Sequence, residues 1–203
     1  MQIVRTGKAW YDSKMTALPE TPPPHMTVAE FLQWNMDNVH GRWELFCGEP
    51  VKMQSERARH ADTKGNVYIA LKAAVRAAKL PCQVFPDGMT VVIDDETCYE
   101  PDAVVNCGPK VDPDSVTVDT PTIVVEVGSP STKVFDMGQK LADYLTVPSI
   151  AHVLLIDPKK KRAILHTRRS ETEWATRVFG TTERLQLDPP GIGFDLAECF
   201  LET

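Results

Sequence analysis

The fold of this chain depends on two short stretches, "YEPDAVV" at 99–105 and "IVVEVGSPST" at 123–132. Both are rich in Val and Ile, the β-branched residues that favour strands. Each also places one acid where a buried strand usually carries an apolar side chain, Asp102 in the first and Glu126 in the second. An unpaired carboxylate in a protein core is very unfavourable, so both acids need a structural or a functional reason.

The surrounding pattern predicts that these two acids lie side by side. The stretch 122–127 is apolar almost throughout, as expected for a central strand that is buried on both faces. A helix over 134–146 and an apolar strand over 151–157 follow it, which is typical of a crossover back into the same sheet. A divalent cation is the simplest group that satisfies two adjacent carboxylates, and oxygen ligands suit Mg²⁺ or Mn²⁺. Before a metal binds, repulsion and burial should raise the pKa of at least one of the acids.

The same acids have a simpler explanation, which stays open at this point. Each can form an ion pair with an Arg or Lys side chain, or lie at a strand end in contact with water. Pro-Asp pairs are also common elements of turns. Two more of them, at 86–87 and 113–114, are interpreted as turns.

The rest of the pattern predicts one domain over 1–203, with an α/β or α+β fold whose mixed central sheet is flanked by helices. Residues 1–25 contain a proline-rich stretch and are predicted to form an irregular N-terminal arm. Further predicted elements are a helix over 26–36 capped by Thr27 and Glu30, a hairpin over 41–53, a helix over 60–79, strand segments within 82–94 and 102–107, a hairpin formed by 151–157 and 162–168, and a strand over 172–180.

Composition excludes several classes of protein. The net charge of −6 argues against a protein that coats nucleic acid through bulk charge, although a local basic rim such as "KKKR" at 159–162 is compatible with a nuclease. The five cysteines show no C-x-x-C spacing, so we predict no zinc site, and reduced, mostly buried thiols. With no apolar run of about 20 residues and no secretory signal, we expect a cytoplasmic protein without a membrane span.

A lysine on the helix over 134–146 adds a further candidate. Asp136, Lys140 and Tyr144 follow one another at intervals of four residues and share one helix face. The ordinary interpretation is an Asp–Lys pair on the helix surface, which contributes roughly 0.2–0.5 kcal/mol. The functional interpretation is that Lys140 reaches back over the end of the Glu126 strand, where a substrate phosphate would lie.

The order of these motifs resembles the Uma family of restriction-endonuclease-like proteins, within the PD-(D/E)XK nuclease superfamily. The resemblance covers about residues 26–200 and implies a restriction-endonuclease-like core. Its motifs are "RWELFCGEPVKM" at 42–53, His60 at the start of a helix, "EPDAVV" at 100–105, "VVEVGSPST" at 124–132, the Asp, Lys and Tyr of the helix over 134–146, and "HVLLIDP" at 152–158.

The resemblance implies a metal-dependent active site. Asp102, Glu126 and the main-chain carbonyl of Val127 would hold Mg²⁺ (or Mn²⁺), and Glu44 would bind it directly or through water. Lys140 would position the attacking water or stabilise the charge of the pentavalent phosphate.

Three accessory residues follow from the same resemblance. Each has an ordinary alternative: His60 can be a surface or capping residue, Tyr144 a packed core aromatic, and Ser129 a helix cap. The implied function is a Mg²⁺-dependent endonuclease that hydrolyses phosphodiester bonds in DNA. A homodimer is expected only by analogy with other nucleases of this fold.

One position departs from the superfamily pattern. The lysine of the E-x-K motif would stand at 128, where this chain has Gly, so Lys140 is its expected replacement and Gln139 the polar alternative. The missing motif lysine supports a second hypothesis, a catalytically inactive nuclease-fold protein that acts as a binding or assembly module. Nothing in the sequence selects a third one, a hydrolase of smaller phosphoesters.

Overall fold

A computed structural model describes residues 25–37, 41–128 and 134–201, apart from the side chains of 37 and 134–136. The predicted irregular arm over 1–25 falls almost wholly outside these ranges. The elements, in chain order, are α1 (Val28–Asp37), β1 (Trp43–Phe46), β2 (Glu49–Lys52), α2 (Ala58–Ala77), β3 (Gln83–Pro86), β4 (Val91–Asp94), β5 (Thr97–Tyr99), β6 (Ala103–Asn106), β7 (Pro121–Val127), α3 (Val134–Thr146), β8 (His152–Asp157), β9 (Arg162–Arg168), β10 (Trp174–Gly180), β11 (Arg184–Leu187), β12 (Ile192–Asp195) and the short 3₁₀ helix η1 (Leu196–Phe200).

The central sheet has six strands in the order β10-β9-β8-β7-β6-β3. Its neighbours pair antiparallel except β7 and β8, which are parallel and are joined by α3. Two parallel strands need such a crossover, because a tight turn cannot connect them. The predicted mixed sheet and the crossover after the Glu126 strand are therefore confirmed.

A second sheet, in the order β2-β1-β5-β4, carries the predicted N-terminal hairpin. Its turn is formed by Cys47 and Gly48, with φ of 48° and 77°, the left-handed conformation that two-residue hairpin turns require. The predicted cap of α1 is also present. The N–H of Thr27 donates to the Glu30 carboxylate at 2.8 Å, and the N–H of Glu30 donates to the Thr27 hydroxyl at 3.3 Å.

Both faces of the central sheet are covered. On one face α2 packs with Val67, Leu71 and Val75 against the sheet, together with apolar residues of β11, β12 and η1. On the other face Tyr144 of α3 and Ile150 pack against alternate residues of the same strands. The two C-terminal strands and η1 do not appear among the predicted elements, since their segments are short and interrupted by "DPPG" at 188–191.

Helix α2 is the longest helix of the described ranges, with 20 residues. Its buried side chains follow helical spacing, and polar or charged residues occupy the positions between them. None of the helices in the described ranges is both long and apolar enough to cross a membrane.

The cysteines correct one prediction. Cys82 and Cys107 form a disulfide bond, with their Cα atoms 4.2 Å apart, whereas the sequence predicted reduced thiols throughout. The antiparallel register of β3 and β6 pairs Gln83 with Asn106, so the flanking cysteines face each other. The sequence does not show which residues of β3 and β6 stand opposite each other, so this disulfide bond could not be predicted from it. Of the free cysteines, Cys98 and Cys199 are buried and Cys47 is exposed.

Candidate active site

Asp102 and Glu126 are brought together by the pairing of β6 with β7. Asp102 directly precedes β6 and Glu126 lies near the end of β7, and Ala103 stands opposite Val125. The Asp102 side chain is 9% exposed, and its Oδ2 accepts a hydrogen bond of 2.6 Å from the main-chain N–H of Val127. The predicted neighbourhood of the two acids is therefore present.

Around Glu126 the site contains one lysine, one tyrosine and a second acid. Lys140 Nζ lies 2.7 Å from Glu44 Oε1 and 3.7 Å from Glu126 Oε1, and the Lys140 side chain is only 12% exposed. The Tyr144 hydroxyl donates to Glu126 at 2.8 Å. Glu44 also accepts the main-chain N–H of Glu100 at 2.9 Å. Lys140 thus points into the acid cluster and not into solvent.

The charge of Glu126 is incompletely compensated. Burial raises the pKa of this carboxyl to about 7, and the negative charges of Asp102 and Glu44 act in the same direction. The ammonium group of Lys140 and the hydrogen bond from Tyr144 oppose this shift without cancelling it. This agrees with the prediction that one of the acids has a raised pKa before a metal binds.

Around Asp102 the site contains two cationic side chains from α2. His60 Nε2 lies 3.4 Å from Asp102 Oδ2, and Lys64 Nζ lies 3.3 Å from Asp102 Oδ1. The hydrogen bond to Asp102 raises the pKa of His60, which favours its charged form. His60 is therefore a partner of Asp102 and not only a surface or capping residue.

Lys64 links Asp102 to an outer ring of charges. Its ammonium group also contacts Glu56, and Asp87 at 2.8 Å. Burial alone would lower the pKa of Lys64, but hydrogen bonds to Asp87 and Glu56 and the charge of Asp102 raise it overall. Arg42 contacts Asp87 in turn and donates to Glu100 at 2.7 Å.

Sequence reasoning missed this outer ring. Its members come from separate segments, and only the folded chain unites them: Arg42, Glu56, Lys64, Asp87 and Glu100. One signal was available, since Lys64 lies four residues after His60 and thus on the same face of α2. Asp87 had been assigned only to a turn.

The chemistry of the cluster fits a divalent cation. In the part of the chain that the structure describes, the cluster has six acids, Glu44, Glu56, Asp87, Glu100, Asp102 and Glu126, and they outnumber the cations Arg42, Lys64 and Lys140 even with His60 counted as charged. Carboxylate oxygens are the ligands that Mg²⁺ and Mn²⁺ prefer. Among the described residues, Glu56, His60 and Asp102 have ligand atoms that all lie within 4.8 Å of one another. The carboxylates of Glu44 and Glu126 instead face Lys140.

Position 128, where the superfamily motif has its lysine, has room for a side chain. Gly128 follows β7, and its N–H donates to the Ile156 carbonyl at 2.8 Å. A Cβ added there would lie 3.4 Å from the Met137 sulfur, an ordinary contact with a flexible side chain. An ammonium group reaches the acids from α3, where Lys140 Nζ lies 2.7 Å from Glu44 and 3.7 Å from Glu126. Ser129, another predicted accessory residue, lies outside the described residues.

Comparison with known proteins identifies the family. A family model for Uma2, described as "Putative restriction endonuclease", matches residues 28–197. The chain belongs to the Uma2 family. This confirms the resemblance found in the motifs, and supports a nuclease-like function.

Two relatives come from Synechocystis sp. (strain ATCC 27184 / PCC 6803 / Kazusa). The uncharacterized protein slr1290 is 26% identical over 177 residues, which cover 87% of this chain and 92% of that protein. A second uncharacterized protein, sll1609, is 26% identical over 165 residues, with coverage of 79% and 92%.

A solved structure has the same fold. It is a "putative nuclease belonging to DUF820" from Anabaena variabilis ATCC 29413, with a TM-score of 0.67 and 14% sequence identity. The match covers 86% of this Uma2 chain and 97% of that one. The mixed sheet flanked by helices is therefore the fold of a solved nuclease-like protein.

Proposed function

We propose that this Uma2 protein is a metal-dependent endonuclease that hydrolyses phosphodiester bonds in DNA. The observation that carries the proposal is the position of Lys140, whose ammonium group contacts Glu44 and Glu126 beside Asp102. In this arrangement the acids at the strand end provide metal ligands, and the buried lysine provides a cation for a substrate phosphate. The family assignment supports the same class of reaction.

The ligands would come from three carboxylates and one main-chain group. Restriction-endonuclease-like proteins generally use a divalent metal, and here Asp102, Glu126, Glu44 and the carbonyl of Val127 would hold Mg²⁺ or Mn²⁺. Such an ion acts as a Lewis acid that polarises a phosphoryl oxygen and stabilises its developing charge. The excess of acids over cations in the cluster favours its binding.

The chain's own residues have separate tasks in this proposal. Lys140 donates hydrogen bonds to a phosphate oxygen or to the attacking water, which stabilises the negative charge of the transition state. Tyr144 holds the Glu126 carboxylate by its hydroxyl hydrogen bond at 2.8 Å. The N–H of Val127 and the imidazole of His60 hold Asp102 in place. These contacts fix the orientation of the ligands before substrate arrives.

The test is a nicking assay on supercoiled plasmid with Mg²⁺ or Mn²⁺. We expect the wild-type protein to nick the plasmid, and Glu126→Gln to reduce the rate at least about 100-fold, since a neutral amide cannot replace the carboxylate. Glu49→Gln is the matched control, because it is the same change at an exposed position on β2. The control should retain the wild-type rate.

Two outcomes would contradict the proposal. Nicking that survives in Glu126→Gln would show that another site or a contaminant is responsible. Binding of Mn²⁺ and DNA without any cleavage, by wild type and variants alike, would favour the binding-module hypothesis instead. Titration of Mn²⁺ into the same proteins separates these cases, since the proposal requires Glu126→Gln to weaken metal binding.

A further inference from the structure

Helix α2 concentrates positive charge on a chain that is otherwise acidic. Between residues 57 and 79 there are six basic side chains and one acid, Asp62, so the segment carries a net charge of +5. The whole chain has a net charge of −6, so its other residues together carry −11. Such an asymmetry indicates an anionic partner for this helix.

The basic residues of α2 form a ridge that begins at the candidate active site. Lys64, Tyr68, Lys72 and Arg76 are spaced four residues apart and therefore follow one side of the helix, and Lys79 lies two residues after its end. At the first of these positions, Lys64 Nζ lies 3.3 Å from Asp102. At 1.5 Å per residue, the ridge extends about 22 Å from Lys64 to Lys79.

The side chains beyond Lys64 are available to a partner. Within residues 25–37, 41–128 and 134–201, no carboxylate pairs with Lys72, Arg76 or Lys79. Lys72 Nζ lies over the ring of Tyr68, 4.9 Å from its centroid. The neighbouring Ile69 is 63% exposed. Together, Tyr68, Ile69, Lys72 and Arg76 line a shallow groove of about 310 Å³.

We propose that this α2 basic ridge, formed by Tyr68, Lys72, Arg76 and Lys79, binds the phosphate backbone of the nucleic acid that is cut beside Asp102. The inference rests on the proposed nuclease function. It adds the surface along which the bound nucleic acid would extend away from the active site. At 3.4 Å per nucleotide along one strand, about 22 Å corresponds to about six nucleotides. Phosphate contacts by Lys and Arg position the substrate independently of its sequence.

The experiment measures binding of a fluorescently labelled DNA duplex by anisotropy, with a chelator present so that no cleavage occurs. The ridge variant is Lys72→Ala/Arg76→Ala/Lys79→Ala. The control is Lys159→Ala/Lys160→Ala/Lys161→Ala, which removes the same charge from the exposed turn between β8 and β9. Titrations between about 50 and 200 mM salt give the slope of log affinity against log salt concentration, which falls by about 0.9 for each lost phosphate contact.

We expect the ridge variant to bind roughly tenfold more weakly or worse, and its salt slope to be shallower by about 2 to 3. The control variant should stay close to wild type in both quantities. Circular dichroism confirms that both variants are folded. An equal loss in both variants would show only bulk charge and would overturn the inference, as would an unchanged ridge variant.

Other results identify which proposal fails. If wild-type protein nicks plasmid while the ridge variant binds DNA normally, the ridge inference fails and the nuclease proposal stands. If wild type neither binds nor cleaves DNA, both fail. If the ridge variant changes a dimer into a monomer by sedimentation and leaves the salt slope unaltered, the face binds a second copy of the chain instead.

Discussion

The two acids at the centre of the site stand next to each other but have opposite electrostatic surroundings. The Asp102 carboxylate accepts a hydrogen bond from a main-chain N–H and lies within 3.5 Å of both a histidine and a lysine. Glu126 has one tyrosine hydroxyl and a lysine at 3.7 Å that is closer to Glu44. Among the residues that the structure describes, Asp102 therefore has two cationic side chains close to it, whereas Glu126 shares a single lysine with Glu44.

This difference indicates a division of roles between the two acids. The hydrogen bond from the Val127 N–H and the side chains of His60 and Lys64 hold the Asp102 carboxylate in place. Burial raises the pKa of Glu126 to about 7, so under the proposed function a bound cation would stabilise this carboxylate the most. Each prediction below tests this division.

The largest effect should follow the loss of the lysine on the Asp102 side. Lys64→Met keeps most of the aliphatic stem but leaves Glu56, Asp87 and Asp102 without their shared cation. We expect a loss of about 3–5 kcal/mol in the free energy of unfolding, the usual cost of breaking a buried ion pair. Urea unfolding measures it, and added Mn²⁺ should restore part of the loss.

Lys140→Met is the matched variant on the Glu126 side. It should cost less stability at pH 7, because Glu126 can take up a proton when its cation is removed. Equal costs for the two lysine variants would contradict the division between the two sides.

The next effect concerns catalysis by Lys140. We expect Lys140→Ala to lower the nicking rate about 100-fold, the usual cost of removing one group that stabilises transition-state charge. Adding Gly128→Lys should recover much of the rate, since strand alternation places position 128 on the Glu126 face and a Cβ fits there.

Gly128→Ala in the same Lys140→Ala background is the control for this rescue, because it adds a side chain without a charge. Recovery by Ala as well as by Lys would show that packing, and not the ammonium group, limits the reaction.

A smaller effect is expected at His60. If His60 only holds Asp102, His60→Gln should weaken Mn²⁺ binding about tenfold, as is typical of residues that orient a metal ligand. Isothermal titration calorimetry measures this, with His166→Gln as the control on β9. A loss of far more than about 100-fold would instead make His60 a direct ligand, as its 4.8 Å grouping with Glu56 and Asp102 allows.

The smallest expected effect is that Glu126→Gln stabilises the metal-free protein. Glu126 has its pKa raised from 4.5 to about 7, so its ionised form is disfavoured in the folded protein. Wild-type stability should fall as pH rises from about 4.5 through about 7. Glu126→Gln removes this penalty and should stabilise the chelator-treated protein by at least about 1 kcal/mol at pH 8, with little effect at pH 5. A Gln variant that is less stable than wild type at pH 8 would contradict the assignment.

Much of the fold could be predicted from the sequence because its central elements have strong local patterns. The almost entirely apolar β7, the helix after it and the capped α1 each carry a periodicity or a cap that fixes the element by itself. The features that could not be predicted depend on residues that are far apart in the sequence. Strands β11 and β12 are short, and the Cys82–Cys107 bond depends on the register of two strands.

The site was predictable to a different degree on its two sides. Asp102 and Glu126 are noticeable as acids in apolar strands, and Lys140 as a lysine on the helix that follows the Glu126 strand, whereas Glu44 came only from the family resemblance. The charges that compensate Asp102 were missed, because Glu56, Lys64 and Asp87 look like ordinary surface residues until the fold brings them together. A charge network has no spacing rule, so only the three-dimensional contacts reveal it.

The lengths of chain that separate the site's partners also set an order for its assembly. Glu126 and Tyr144 are 18 residues apart within one crossover, whereas Glu44 and Lys140 are 96 residues apart. By loop-closure entropy alone, the longer contact costs about 1.5 kcal/mol more to form. The β7–α3 crossover can therefore bring its tyrosine to Glu126 early in folding, while Lys140 meets Glu44 only when the N-terminal hairpin docks. A chain with an undocked hairpin would therefore keep the contact between Glu126 and Tyr144 and lack the contact between Glu44 and Lys140.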